Sequence, residues 1–168
     1  MLSIDVRSLE SGAVQVTGSL ASEDAVFLDG DARPEGAIEV TGRLSAAGAG
    51  RYYFSGKFAG KVRGECGRCL QAAEAEVGAT VALLFAEAGD ENEDEPDVFP
   101  VTGGDTVVDL RPALREQWLL EQPAILVCRP ECKGLCARCG ADLNAGACSC
   151  APETDPRWDA LRALRSDA

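Results

Sequence analysis

The stretch RYYFSGKFAGKVRGE at residues 51–65 alternates with period two. Its even positions are Tyr52, Phe54, Gly56, Phe58, Gly60, Val62 and Gly64. Its odd positions are Arg51, Tyr53, Ser55, Lys57, Ala59, Lys61, Arg63 and Glu65. One face is apolar and the other basic, which is the pattern of a half-buried strand. The link CGRCLQ at residues 66–71 follows, and then a second alternation begins. Ala75, Val77, Ala79, Val81, Leu83 and Phe85 point one way, while Glu74, Glu76, Gly78 and Thr80 point the other. Two amphipathic strands on a short link make a hairpin, with Cys66 and Cys69 at its tip.

Upstream, Ala13–Leu20 and Ala37–Leu44 also read as strands, rich in Val and Ile and punctuated by glycine. Their cores VQVTGSL and IEVTGRL are alike, but β-propensity alone explains two short matches. Downstream the period changes. Asp109 is suited to cap a helix, Pro112 to its first turn, and Pro123 to its end, with Leu114 and Trp118 between. A last short helix is expected where Asp155-Pro156 precedes Trp158, Leu161 and Leu164. The expected class is α+β: an antiparallel β-rich core, a helix after an acidic loop, and a small zinc-ribbon-like C-terminal module ending in a short helix. The expected division is 1–86, 87–104 and 105–168.

The acidic loop emerges once the net charge of −12 is divided along the chain. Between Cys69 and Leu110 there are eleven Asp or Glu and no Lys or Arg, so the rest of the chain is near neutral. The densest part, EAGDENEDEPD at residues 87–97, offers almost nothing to bury. It reads as a solvated, solubilising connection, with a partner-binding segment as the alternative.

No histidine occurs in the 168 residues. Ser-His-Asp and Cys-His catalysis and His-ligated metals are therefore excluded. No phosphate-binding or dinucleotide glycine loop appears, nor any paired-carboxylate motif. The chain reads as a non-enzymatic protein without a small-molecule substrate. Its start, MLSIDVRSLE, has no long apolar run, and the longest one, Ala79–Ala86, is too short to cross a bilayer. A soluble, cytoplasmic protein without a membrane partner is expected.

All eight cysteines fall in close pairs: Cys66 with Cys69, Cys128 with Cys132, Cys136 with Cys139, and Cys148 with Cys150. In a reducing compartment this pattern favours metal over disulfides. Two sites of four thiolates each, holding one or two zinc ions in all, match the count and the spacing. The economical pairing puts Cys136, Cys139, Cys148 and Cys150 together, because only eight residues separate its halves. Cys66, Cys69, Cys128 and Cys132 then form a second site that staples the hairpin tip to the C-terminal module. A cross-braced pairing satisfies the same spacing. The alternative chemistry is a thiol redox protein or zinc-regulated redox switch using Cys66 and Cys69. It leaves six cysteines without a role, and a strand rather than a helix follows the motif.

ECGRCL, DLRPALREQWLLEQP, CRPECKGLCARCGADLNAGACSC and DPRWDALRAL occur here in the order found in the bacterial YceD family, which this chain resembles over roughly its last hundred residues. The resemblance implies a role in the synthesis, processing or accumulation of large-subunit ribosomal RNA, with no known catalytic activity. The implied partners are ribosomal RNA or a basic ribosomal or assembly protein. If RNA is touched directly, the basic strand face is the candidate. Arg51, Lys57, Lys61 and Arg63 align on it, and Tyr53 is placed to stack on a base. Glu74 and Glu76 on the next strand are expected across from Lys61 and Arg63 as a group, and would neutralise them if so.

Overall fold

In the computed structural model the strands, in chain order, are β1 (Ser3–Asp5), β2 (Val14–Ala21), β3 (Ala37–Ala46), β4 (Arg51–Glu65), β5 (Ala72–Ala86), β6 (Val98–Pro100) and β7 (Val107–Asp109). Among the described residues one α-helix, α1, covers Arg111–Leu120, and a short 3-10 turn covers Val6–Leu9. The structure describes residues 1–48, 50–91, 95–104, 106–150 and 157. Five strands form one sheet in the order β2-β3-β4-β5-β6, and β1 pairs with β7 in a second, small sheet. All neighbours are antiparallel except β5 and β6.

The hairpin read from residues 51–86 is the spine of this sheet. β4 and β5 pair from Arg51↔Ala86 to Glu65↔Ala72, fifteen residues each and roughly 45–50 Å long at the usual rise. Period two sorts the side chains as expected. Tyr52, Phe54, Phe58 and Val62 are buried, with Val77, Val81, Leu83 and Phe85 beside them. Ile38, Val40 and Leu44 extend the same core onto β3.

Helix α1 covers this apolar face with Ala113, Leu114 and Trp118. The indole of Trp118 is fully buried against Gly60, where an added Cβ would come 3.0 Å from its Cζ3. The glycine is therefore a seat for the ring. Trp118 Nε1–H donates to Ala32 O at 2.7 Å, so the buried polar end is satisfied. Arg115 forks onto Asp31 at 2.6 and 2.8 Å and ties the helix to the segment between β2 and β3.

β3 pairs with β4 only as far as Ala59, so the last six residues of β4 and their partners on β5 project past it. The projecting end is covered by the segment after α1. Leu126 lies over Gly64, where a Cβ would come 2.8 Å from its Cδ1. Beyond Leu126 a second, smaller core of Cys66, Cys69, Ala73 and Cys132 encloses the hairpin tip.

Several expectations are corrected. β2 and β3 are Val14–Ala21 and Ala37–Ala46 rather than Ala13–Leu20 and Ala37–Leu44. The residue preceding the helix is Leu110, not Asp109. Asp109 still bonds the helix start, since its Oδ1 accepts Arg111 N–H at 3.1 Å. The start of the acidic loop, Glu87 to Glu91, is anchored rather than wholly solvated. Arg51 Nε reaches Asp90 at 2.6 Å, its Nη2 reaches Glu91 at 3.0 Å, and Tyr52 Oη donates to Glu87 at 2.7 Å. β6 follows within the expected linker, and α1, expected in the same unit as the cysteine-rich module, shares the core of the sheet. The expected final helix, at Asp155 to Leu164, lies outside the described residues. Among the described residues no helix is long and apolar enough to cross a membrane.

Candidate metal centre

Each site begins with a Cys-x-x-Cys knuckle closed by two backbone bonds. Cys66 N–H donates to Gln71 O at 2.7 Å, and Leu70 N–H donates back to Cys66 O at 2.9 Å. In the second knuckle Cys136 N–H donates to Ala141 O at 2.8 Å, and Gly140 N–H to Cys136 O at 2.9 Å. The closure requires a left-handed residue directly after the second cysteine. Gly140 takes φ +70° at no steric cost, whereas Leu70 holds φ +61° with a side chain. The geometry turns both sulfurs to one side and aims backbone N–H groups at the first of them.

The structure brings the eight cysteines together as two quartets. Cys66, Cys69, Cys128 and Cys132 form an inner group, and Cys136, Cys139, Cys148 and Cys150 an outer one, with the sulfurs of each within 4.8 Å of one another. In the inner group Cys66 Sγ lies 3.8 Å from Cys132 Sγ, and Cys69 Sγ lies 3.7 Å from Cys128 Sγ. Four thiolates bound tetrahedrally at about 2.3 Å stand about 3.8 Å apart, so these spacings fit a cation at the centre. All eight thiols are free. Both quartets are positioned to hold a metal ion.

The two environments differ. Cys66, Cys69 and Cys132 are buried and Cys128 half-buried, while Cys139 is exposed and the other outer ligands are half-buried. Gly67 N–H donates to Leu126 O at 2.8 Å, and Arg68 Nη1 donates to Pro130 O and Cys132 O at 3.0 and 3.1 Å. Arg68 thus fastens the Cys128–Cys132 turn onto the hairpin tip.

Charge is prepared unevenly within each quartet. The Cys128 backbone N–H, helped by those of Arg68 and Cys69, pulls the Cys66 thiol down to about 6 against the effect of burial. Burial, with the neighbouring Cys132 sulfur, pushes Cys128 up to about 12. In the outer group the N–H groups of Cys139 and Arg138 pull Cys136 down to about 6. The Cys139 sulfur and burial push Cys150 up to about 12. One sulfur per quartet is ready to be a thiolate, and another holds its proton until a cation displaces it.

The five candidate nucleic-acid residues share the open face of the sheet but not one electrostatic state. Arg51 is paired with Asp90 at 2.6 Å and Glu91 at 3.0 Å, and Arg63 with Glu35 and Glu74, both at 2.6 Å. Lys61 faces Glu76 and Arg63 faces Glu74 across the β4–β5 ladder. Lys57 faces Thr41 and Thr80, and Tyr53, 40% exposed, faces Ser45 and Leu84. Sequence reasoning missed Arg43. It lies on the same face, between Gln15 on β2 and Ser55 on β4. The odd parity of Arg43 against the even, buried Ile38, Val40 and Leu44 was the signal that marks it.

Residues 54–165 match the family model described as Large ribosomal RNA subunit accumulation protein YceD. An uncharacterized protein of Mycobacterium tuberculosis is 33% identical over 148 residues, covering 84% of this chain and 64% of that protein. The chain thus spans just under two thirds of the length of such mycobacterial relatives. A maize protein, Large ribosomal RNA subunit accumulation protein YCED homolog 1, chloroplastic, is 38% identical over 72 residues, covering 42% of this chain and 25% of its own. An uncharacterized Mycobacterium leprae protein is 34% identical over 100 residues, 58% of this chain and 45% of that one. No solved structure matches. The matched span takes in the projecting end of the hairpin, α1 and every cysteine of both quartets, and the chain belongs to the YceD family.

Proposed function

We propose that this protein is a non-enzymatic ribosome-biogenesis factor of the bacterial cytoplasm that supports large-subunit ribosomal RNA by binding it on the open face of its sheet. Zinc in the two cysteine quartets holds the framework. The family membership supports the biological role. The all-cysteine donor sets support zinc, and four-thiolate sites are closed, structural sites rather than catalytic ones. The burial of Cys66 and Cys69 speaks against a dithiol redox centre, which needs an accessible sulfur.

The observation that carries the RNA reading is the absence of acid from three adjacent cross-strand rows. The first row is Gln15, Arg43, Ser55 and Ala82; the second is Thr17, Thr41, Lys57 and Thr80; the third is Ser45, Tyr53 and Leu84. In a chain of net charge −12 this patch carries two cations and an exposed tyrosine. Gln15, Thr41, Ser55, Lys57 and Thr80 line a shallow depression in it. Small side chains keep the surface flat, so a base is able to approach Tyr53 while phosphates reach Arg43 and Lys57. The patch spans only about 13 Å along β4, room for a few nucleotides of single strand. Acid bounds it at both ends: Asp90 and Glu91 beyond Tyr53, and Glu39 and Glu76 beyond Lys57.

Crosslinking in growing cells, followed by recovery of the protein and scoring of ribosomal RNA against ribosomal proteins, tests the reading. Large-subunit RNA is expected in excess. Recovery of basic ribosomal proteins with no RNA would overturn it in favour of a protein-binding role for the acidic segment. A mixed-disulfide partner in place of both would indicate thiol redox chemistry.

A further inference from the structure

The last inner ligand and the first outer ligand, Cys132 and Cys136, are joined by only Lys133, Gly134 and Leu135. The loop between the two halves of the outer site folds back over this bridge. Leu143 N–H donates to Gly134 O at 2.9 Å, and Leu135 and Asp142 form an antiparallel bridge. On the other side Leu135 N–H donates to Arg68 O at 2.9 Å, next to the inner knuckle. The bridge is clasped between both sites.

Asn144 makes the side-chain link. Its Oδ1 accepts the Lys133 backbone N–H at 2.9 Å. A backbone N–H only donates, so this bond fixes which end of the amide is oxygen. The Nδ2 end is thereby turned to Cys132 Sγ at 3.7 Å and to Asp142 Oδ1 at 2.7 Å. Asn144 N–H also donates to Asp142 Oδ1 at 2.9 Å, closing the turn that presents the side chain. Asn144 therefore sits in the outer loop, between ligands Cys139 and Cys148, and hydrogen-bonds an inner ligand.

We infer that the two cysteine quartets are thermodynamically coupled, and that Asn144 is the positioning residue through which loading of the outer site strengthens metal binding at the inner one. An occupied outer site orders the loop from Cys139 to Cys148 and holds the amide on Cys132 Sγ. An N–H donor on a metal-bound thiolate stabilises its charge and fixes its direction. With the outer site empty, the loop loses one of its anchors and the inner sulfur loses its donor. Linkage requires the effect to be mutual, so inner loading strengthens outer binding by the same factor. A single charge-assisted hydrogen bond corresponds to a factor of about ten. The inference rests on the metal-binding reading of the quartets and adds the connection between them.

The test measures cadmium affinity of the inner site by chelator competition on the full chain, in a four-member cycle of wild type, Cys148→Ser, Asn144→Ala and the double variant. The inner signal is a cadmium-113 resonance identified by its loss in Cys66→Ser. Each single variant is expected to weaken inner binding about tenfold, and the double variant no further, because both remove one donor. Additive losses, or an inner affinity indifferent to Cys148→Ser, would overturn the coupling. A second readout needs no cysteine substitution. Stripping cadmium from the more exposed outer site is expected to shift the inner resonance in wild type and to leave it unmoved in Asn144→Ala. An equal shift in both chains would overturn the role of Asn144, and no shift in wild type would overturn the coupling itself. Failure of either quartet to bind cadmium in wild type would instead sink the underlying metal reading.

Discussion

Cys66 Sγ and Cys132 Sγ lie 3.8 Å apart across a chain separation of 66 residues. The contact joins the tip of the projecting hairpin to the turn after α1, at the point where β4 and β5 have lost their β3 neighbour. A cross-link closing a loop of this length removes about 4 kcal/mol of unfolded-state entropy, against about 3 kcal/mol for the short outer loop. With a metal bound in each quartet, the inner site would be the staple of the domain and the outer site a local clasp.

Purified without chelator, the protein should carry one or two zinc ions by elemental analysis, two where both quartets are loaded. Structural zinc contributes on the order of 10 kcal/mol to the folding of small finger peptides, so chelation should unfold the cysteine-rich module. The exposed Cys139 makes the outer ion the first to leave. Cys66→Ser should lower the thermal midpoint of the whole domain more than Cys148→Ser does. Stoichiometric disulfides with no metal in protein handled anaerobically would remove the basis for both statements.

Proton competition gives a pH signature. Ligands must shed protons to bind, so metal affinity rises with pH. Cys66 and Cys136, held down to about 6, are already ionised at neutral pH and release nothing, whereas Cys128 and Cys150, raised to about 12, release theirs throughout. For the depressed pair the advantage over an ordinary thiol is complete above that thiol's pKa of about 8.5 and fades as pH falls through 6. Plots of log affinity against pH should steepen by about one proton per site below pH 6. Chelator competition between pH 5 and 8 measures this, and a constant slope would contradict the amide-stabilised thiolates.

The hairpin was legible because its alternation runs unbroken over fifteen residues, long enough for burial to impose period two. β1, β6 and β7 are three residues each, too short to show a period, and only tertiary pairing defines them. The quartets were legible for a different reason: spacing places two thiolates on each turn, and loop closure favours the nearest second pair. The Arg51 contacts were not legible. They depend on a turn at Glu87–Glu91 that returns acid to the start of β4, and no local pattern announces it.

Knuckle geometry predicts opposite responses at equivalent positions. Leu70 is 61% exposed and held at φ +61°, where a side chain costs about 1–2 kcal/mol. Leu70→Gly should be neutral to stabilising by about 1 kcal/mol, after the added chain entropy of glycine is counted. Gly140→Ala, at φ +70°, should destabilise the outer knuckle by about 1 kcal/mol and speed metal loss there. Denaturant midpoints of the zinc-loaded variants decide between these signs and a flexible turn indifferent to both changes.

The seat of Trp118 is tested by changing either side of it. Gly60→Val places branched carbons where a single Cβ already meets the indole at 3.0 Å, and overpacking of this kind costs about 1–3 kcal/mol. Trp118→Ala should cost about 3–5 kcal/mol through the cavity it leaves. Neither change touches a cysteine, so zinc content should survive in any folded fraction. A Gly60→Val protein as stable as wild type would show that the helix rides on the sheet loosely.

RNA binding on the sheet face makes a prediction that separates free cations from paired ones. Arg43 and Lys57 are directly opposite uncharged residues on the adjoining strands, while Arg51 and Arg63 already hold carboxylates. Freeing either arginine would break existing ion pairs before any phosphate is gained. Arg43→Glu with Lys57→Glu should therefore weaken association with a single-stranded large-subunit RNA fragment. It should also flatten the salt dependence by about 1.4 in the log–log slope, two phosphates at about 0.7 each. Tyr53→Ala should weaken binding by about 1–3 kcal/mol with the slope unchanged, because stacking releases no counterions. Arg51→Gln, at the acidic edge, should change RNA affinity little. Fluorescence anisotropy across a salt series reads all of these, with zinc content and circular dichroism as controls for folding. If the Arg43 and Lys57 reversals leave RNA binding and its slope unchanged, this face is not the RNA site. A larger effect from Arg51→Gln than from Lys57→Glu would place the contact at the edge near Asp90 instead.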